Sequence, residues 1–130
     1  MPDQDTRYKK LPRPESIEFF KTSMNFHKAV TSSEEIAEVR YLIKREKKSE
    51  IRVFLTNLYI VGIADVYEII QEFPDVDCIV TMSAWNSYSE QAKMLCKDNK
   101  IGLFTYSEYY AALRYDSEEF YNYEPPKEDI

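Results

Sequence analysis

Three short runs of β-branched and aromatic residues punctuate this chain, at residues 51–56 (IRVFLT), 77–81 (DCIVT) and 101–105 (IGLFT). Each is too short for a helix and nearly continuous in apolar character, the pattern of a strand buried on both faces. Such strands need helices to cover them, and each run is followed by a stretch of helical periodicity. Ile63, Val66, Tyr67, Ile69, Ile70 and Phe73 mark one helix, which Pro74 ends. Tyr88, Ala92, Leu95 and Cys96 mark the next. Ser87 and Glu90 are spaced as its capping box, and Asn99 suits a left-handed residue at its end. Ser107 is expected to cap a last helix carrying Tyr110 and Leu113.

Upstream, Ser32 and Glu35 have the spacing of a capping box. Ile36, Val39, Leu42 and Ile43 follow at helical intervals, which predicts a helix over residues 34–47. The basic run Lys44-Arg45-Glu46-Lys47-Lys48 would close it, where the helix dipole favours cations. Residues 33–115 then read αβαβαβα. The expected fold class is α/β: a small three-layer α/β/α domain with a mainly parallel sheet, a βαβαβα core and right-handed crossovers. Residues 58–62 either lengthen the first strand or form its crossover. Three strands make a small sheet, so residues 17–30, which suit a short helix, a short strand or both, add strands, or an edge pairs with another chain.

The expected domain occupies residues 17–115. Residues 1–16, with Pro2, Pro12 and Pro14 among charges, read as an extended arm. Residues 116–130 form an acidic, aromatic tail, expected to be disordered in isolation. Alternatively Phe120, Tyr121 and Tyr123 anchor it on a partner or on the domain's own groove, a basic partner suiting aromatics among carboxylates. No run approaches the roughly 18 apolar residues of a membrane span, and the first residues lack the order of a secretory signal. The expectation is a cytoplasmic protein with Cys78 and Cys96 buried and reduced. A net charge of −6 argues against direct nucleic-acid binding, which needs clustered cations.

Catalytic constellations are not evident. His27 is the sole histidine and has no nucleophile or carboxylate at an informative spacing, so a structural role is expected. With only Gly62 and Gly102, the chain has no glycine-rich phosphate loop. No catalytic residue, metal ligand or cofactor is expected. Position leaves one candidate, since α/β sheets bind ligands beyond the carboxyl ends of their strands. There the turns supply Asn57, then Ser83, Trp85 and Asn86, then Ser107, with a threonine at each strand end. Caps and strand propensity account for the hydroxyls; Trp85 is asked for by neither. A loop tryptophan packs over its own helix or anchors a partner.

The segments Ile79-Val80-Thr81-Met82-Ser83, Glu90-Gln91-Ala92-Lys93-Met94-Leu95, Ile101-Gly102-Leu103-Phe104 and Ser107-Glu108 together resemble the C-terminal half of Mrr-like restriction endonuclease domains, in the PD-(D/E)XK nuclease superfamily. The resemblance spans residues 51–113. It implies a metal-binding aspartate on a preceding strand hairpin and an acid-x-lysine motif on the strand matching residues 53–57. Here Phe54 stands in place of the acid and Thr56 in place of the lysine. The predicted helix replaces the hairpin, and Glu50-Ile51-Arg52 mimics the motif's spacing with an arginine too early on the strand. The resemblance therefore implies a nuclease-like core without Mg²⁺-dependent cleavage.

The leading expectation is a non-catalytic interaction module that binds a protein partner or itself, in a DNA-processing or defence-related assembly. Its acidic, tyrosine-rich surface would suit a basic groove on a partner. The alternative is a small polar-ligand binder or enzyme using Asn57, Ser83, Asn86 and Ser107. An active nuclease is the third.

Overall fold

The computed structural model describes residues 10–126. In chain order, α1 (Pro14–Phe26) leads into β1 (Val30–Ala37), β2 (Arg40–Arg45) and β3 (Lys48–Thr56). The short β4 (Ile60–Val61) precedes α2 (Ile63–Glu72) and β5 (Cys78–Thr81). Then come β6 (Ser87–Tyr88), α3 (Glu90–Asp98), β7 (Gly102–Thr105), α4 (Tyr106–Ala112) and α5 (Ser117–Tyr121). Five strands form one sheet in the order β1-β2-β3-β5-β7, and β4 pairs with β6 in a small parallel ribbon.

The fold is α/β, but the sheet is mixed rather than mainly parallel. β1–β2 and β2–β3 are antiparallel, while β3–β5 and β5–β7 are parallel. The cause lies in residues 30–45, where two strands replace the expected helix 34–47. Val39, Tyr41, Ile43 and Arg45 are buried while Arg40, Leu42 and Lys44 are not, a period of two. That alternation coexists in sequence with the helical spacing of Ile36, Val39 and Ile43. Pairing with β3 selects it, because Tyr41 and Ile43 then reach the core opposite Val53 and Ile51. Val39 turns the hairpin at φ 51° although it is β-branched. Its buried side chain, and its carbonyl accepting from Leu55 N at 2.9 Å, hold that costly conformation. The basic run is consequently a strand end and a second turn, with Lys47 at φ 60°, and not a helix end.

The ambiguous residues 17–30 divide into most of α1 and the start of β1. Phe20 and Met24 are the buried side chains of α1, and the helix contacts β1. α2 packs against α3, and α3 and α4 against β7. Three local expectations shift by a few residues. Ser89, not Ser87, caps α3, accepting from Ala92 N at 3.1 Å. Asn99 has φ −101°, and the left-handed residue is Lys100 at φ 61°. Thr105 is the N-cap of α4, with Ser107 exposed in its first turn.

Both ends of the described chain are structured. α1 begins at Pro14, inside the expected arm, and Lys10 O accepts from Asn57 N at 2.9 Å; residues 1–9 of that arm lie outside the described residues. In place of a disordered tail, α5 lays Phe120 on Phe104 edge-on at 5.4 Å. Gly102 makes room for this, since a Cβ there would lie 2.5 Å from the Phe104 ring and 3.1 Å from that of Phe120. Tyr123 stacks on Tyr115 at 5.6 Å, and Tyr121 is half-buried. Phe120 and Tyr123 thus use the domain's own groove; residues 127–130 lie outside the described region.

Candidate functional site at the carboxyl edge of the sheet

The parallel register lines up the ends of three strands. Thr56 pairs with Thr81, and Thr81 with Thr105, so the three threonines form a row where the chain leaves the sheet. The loop after β3 and the loop after β5 begin beside one another, which brings Asn57, Ser83 and Asn86 together. Asn57 Oδ1 accepts from Ser83 N at 3.2 Å, Ser83 Oγ at 2.6 Å and Asn86 Nδ2 at 2.9 Å. The second hydrogen of that Asn86 amide goes to Thr81 Oγ1 at 2.9 Å, and Thr81 donates to Leu58 O at 2.7 Å. Three of the five expected edge residues therefore meet. Ser107, in the first turn of α4, takes no part in their network. Trp85 stands on the turn above it, 67 % exposed.

Most donors of this network are used within the protein. Both hydrogens of the Asn86 amide and the hydroxyl hydrogens of Ser83 and Thr81 are committed to other protein groups, and Asn86 is buried. These side chains tie two loops together, and of their donors only the half-buried Asn57 amide nitrogen has no hydrogen bond to a described residue. Replacing Asn57 by alanine would orphan Ser83 N and the Asn86 amide, costing about 1–3 kcal/mol of stability in urea unfolding. Asn57→Asp keeps an acceptor in place and is expected to cost less.

A second polar cluster at the same edge had no warning in the sequence apart from a lysine on the buried face of α3. Lys93 is buried, and its Nζ donates to Leu103 O at 2.5 Å. It lies 4.3 Å from the centroid of the Phe104 ring and 5.0 Å from that of Tyr88. Burial lowers the Lys93 pKa, with the nearby Glu108 carboxylate opposing. Tyr88 OH donates to Glu108 at 2.9 and 3.0 Å, and Thr105 N donates to the same carboxylate at 3.0 Å. Burial first, and then the Glu108 charge, push the Tyr88 phenol well up. Perturbed groups of this kind mark catalytic sites when they face a cleft. Here the lysine is enclosed by its own rings, and the cluster clamps α4 to β6 and α3.

The open clefts lie elsewhere. One of about 360 Å³ runs between the first hairpin and the end of α2, lined by Leu11, Val39, Arg40, Phe54 and Phe73. Another of about 410 Å³ borders Phe26, Lys28, Tyr110 and Arg114. His27 sits at its wall with both nitrogens used: Nε2 donates to Tyr110 O at 2.8 Å and Nδ1 accepts from Ala29 N at 3.0 Å. Cys78 and Cys96 are buried and free. Among the described residues, no group of three or more His, Cys, Asp or Glu is placed to hold a metal ion. No described helix is long and apolar enough to cross a membrane. At the positions where the resemblance expects a nuclease motif, Phe54 and Thr56 are buried, and Glu50 pairs with Arg52 at 3.6 Å.

No family model, curated protein or solved structure matches the chain.

What the edge does expose is apolar. Tyr59 O accepts from Ser87 N at 2.8 Å and Ile60 pairs with Ser87, which sets Tyr59 and Ile60 beside the Trp85 turn. Ile63 follows at the start of α2, with Tyr67 one turn further on. Tyr59, Ile60, Tyr67 and Trp85 are all more than half exposed. The sequence singles out Trp85 but not its neighbours, because exposure of an apolar residue on a predicted helix or strand is not a local property.

Proposed function

We propose that this chain is a non-catalytic interaction module in the cytoplasm, a small three-layer α/β/α domain that engages a protein partner through the surface around Trp85. The observation that carries it is the contrast at one edge. Most donors of Asn57, Ser83 and Asn86, the polar side chains that meet there, are spent on protein groups, while a tryptophan, two tyrosines and two isoleucines face outward. The resemblance to Mrr-like domains adds a context, a DNA-processing or defence-related assembly. The β1–β2 hairpin supports that resemblance, because it stands where the family carries one. It contains no aspartate, which supports a core without nuclease chemistry.

The single tryptophan makes the test specific. Partner binding is expected to shift Trp85 emission to the blue and to reduce elution volume. Trp85→Ala is expected to leave stability within about 0.5 kcal/mol, being exposed, yet to cost at least about 2 kcal/mol of binding. An unshifted emission and an unchanged monomer across a broad partner set would sink the reading. Binding of a small polar molecule lost on Asn57→Asp but kept in Trp85→Ala would favour the ligand alternative instead.

A further inference from the structure

The cleft where α1 and α4 end belongs neither to the Trp85 surface nor to the polar network. We infer that it binds a nucleoside monophosphate, with the base against Phe26 and Tyr110 and the phosphate on Lys28 and Arg114. Phe26, the last residue of α1, is 76 % exposed, more than any other large apolar side chain among the described residues, Trp85 included. Packing of α1 does not account for it, since that helix buries Phe20 and Met24 instead. Tyr110 supplies a second ring. It meets His27 edge-on at 4.4 Å, and His27 is itself fixed by its bonds to Tyr110 O and Ala29 N. That part of the wall is therefore set before a ligand arrives. Lys28 and Arg114 are exposed, and neither makes an ion pair with a described residue. No carboxylate lines the cleft, although the chain carries a net charge of −6. Helix dipoles favour cations after α1 and α4, which explains their sign but neither the exposed ring nor the cleft they share.

This chemistry discriminates among ligands. Two cations match the charge of about −1.5 to −2 that one phosphate monoester carries near neutral pH, and an arginine can grip it with two parallel bonds. The exposed ring asks for a flat partner, which inorganic phosphate and sugar phosphates lack. A volume of about 410 Å³ lies within the range of small-molecule sites, roughly 300–1,000 Å³. A long polyanion would gain the same two cations but meet the repulsion of the chain's net charge, which favours a single nucleotide over a strand.

Isothermal titration calorimetry on the full chain tests this with adenosine monophosphate, adenosine, inorganic phosphate, phosphotyrosine and a single-stranded oligothymidylate. Adenosine monophosphate is expected to bind at least about tenfold tighter than adenosine or phosphate, since each of those supplies only one half of the contacts. Lys28→Glu with Arg114→Glu should weaken it at least about tenfold, and Phe26→Ser about fivefold. The circular dichroism should not change, because all three side chains are exposed. Trp85→Ala should leave the affinity as it was. Adenosine monophosphate binding no tighter than adenosine or phosphate overturns the inference, as does indifference to the charge reversals or to Phe26→Ser, or no binding of any probe. Tighter binding of phosphotyrosine would assign the cleft to a phosphorylated protein, and tighter binding of the oligothymidylate to a nucleic-acid strand; either result overturns the nucleotide. None of these outcomes bears on Trp85, so the interaction reading stands or falls separately.

Discussion

Replacing Arg45 with methionine is expected to lower the unfolding free energy by about 3–5 kcal/mol. Arg45 lies on the last residue of β2 with its guanidinium out of solvent. Nε and Nη2 donate to Ser49 O at 3.2 and 2.9 Å, and Nη1 donates to Leu113 O at 3.0 Å and Tyr115 O at 2.5 Å. Nη2 also reaches Asp116 at 3.1 Å, and the group lies 5.4 Å from the Phe120 ring centroid. One side chain thus joins the second hairpin to the connection between α4 and α5. Methionine fills the stem's volume but leaves three carbonyls without donors, which is why the loss exceeds that of a surface ion pair. Asp116→Asn should cost far less, about 1 kcal/mol or below, because that carboxylate is a third exposed and water can replace its partner. Urea unfolding of both variants measures the contrast. A loss for Arg45→Met no larger than for Asp116→Asn would refute the clamp.

The pair also has an acid signature. Burial works to raise the Asp116 pKa, but hydrogen bonds from Ser49 and Ser117 and the Arg45 charge outweigh it and hold the carboxyl below its usual range. A depressed folded pKa means stability that is present above the ordinary carboxylate pKa and lost as pH falls through the lowered value. Arg45→Met should therefore shrink the acid-side loss as well as the plateau.

Phe20→Ala is expected to cost a comparable amount, about 3–5 kcal/mol. Phe20 is fully buried, with ring centroids 5.0 Å from Tyr41 on β2 and 5.7 Å from Tyr109 on α4. With Met24, whose sulfur accepts from Tyr109 OH at 3.2 Å, it makes up the buried face of α1. Truncation leaves a cavity between three elements that cannot all close on it. Phe20→Leu, which keeps most of the volume, should cost under about 1.5 kcal/mol. Against a typical total of about 5–15 kcal/mol, the alanine variant would remove a large share of the folding free energy. A loss below about 1 kcal/mol for alanine would show that α1 contributes little to the core.

These two sites also show what was and was not legible. β3, β5 and β7 and the helices that follow them could be read directly. Each carries its own local instruction: a short β-branched run, or apolar residues at helical intervals ended by a proline or a polar turn. The edge where the candidate site lies followed from strand direction, and Asn57, Ser83, Asn86 and Trp85 followed from that edge. Their bonding to one another did not, because it depends on two loops separated by α2 meeting in space. Arg45 reads in sequence as one cation in a basic run; only burial against the distant carbonyls of Leu113 and Tyr115, with that of nearby Ser49, makes it a clamp.

Residues 30–45 set the limit most clearly. Ile36, Val39 and Ile43 suit a helix, while Val39, Tyr41, Ile43 and Arg45 suit a strand, and both patterns are present in the same letters. The local free-energy difference between them is small. Pairing with β3 buries Tyr41 and Ile43, which outweighs that difference and decides the hairpin. The tail is alike: its acidic composition favours disorder, and the groove left open over Gly102 gives Phe120 somewhere to go. The sequence by itself determined the parallel half of the sheet and the edge at which Trp85 stands, because those signals are local. Tertiary structure decided the antiparallel half, the docked tail and the bonding within the polar site, because each requires partners far apart in the chain.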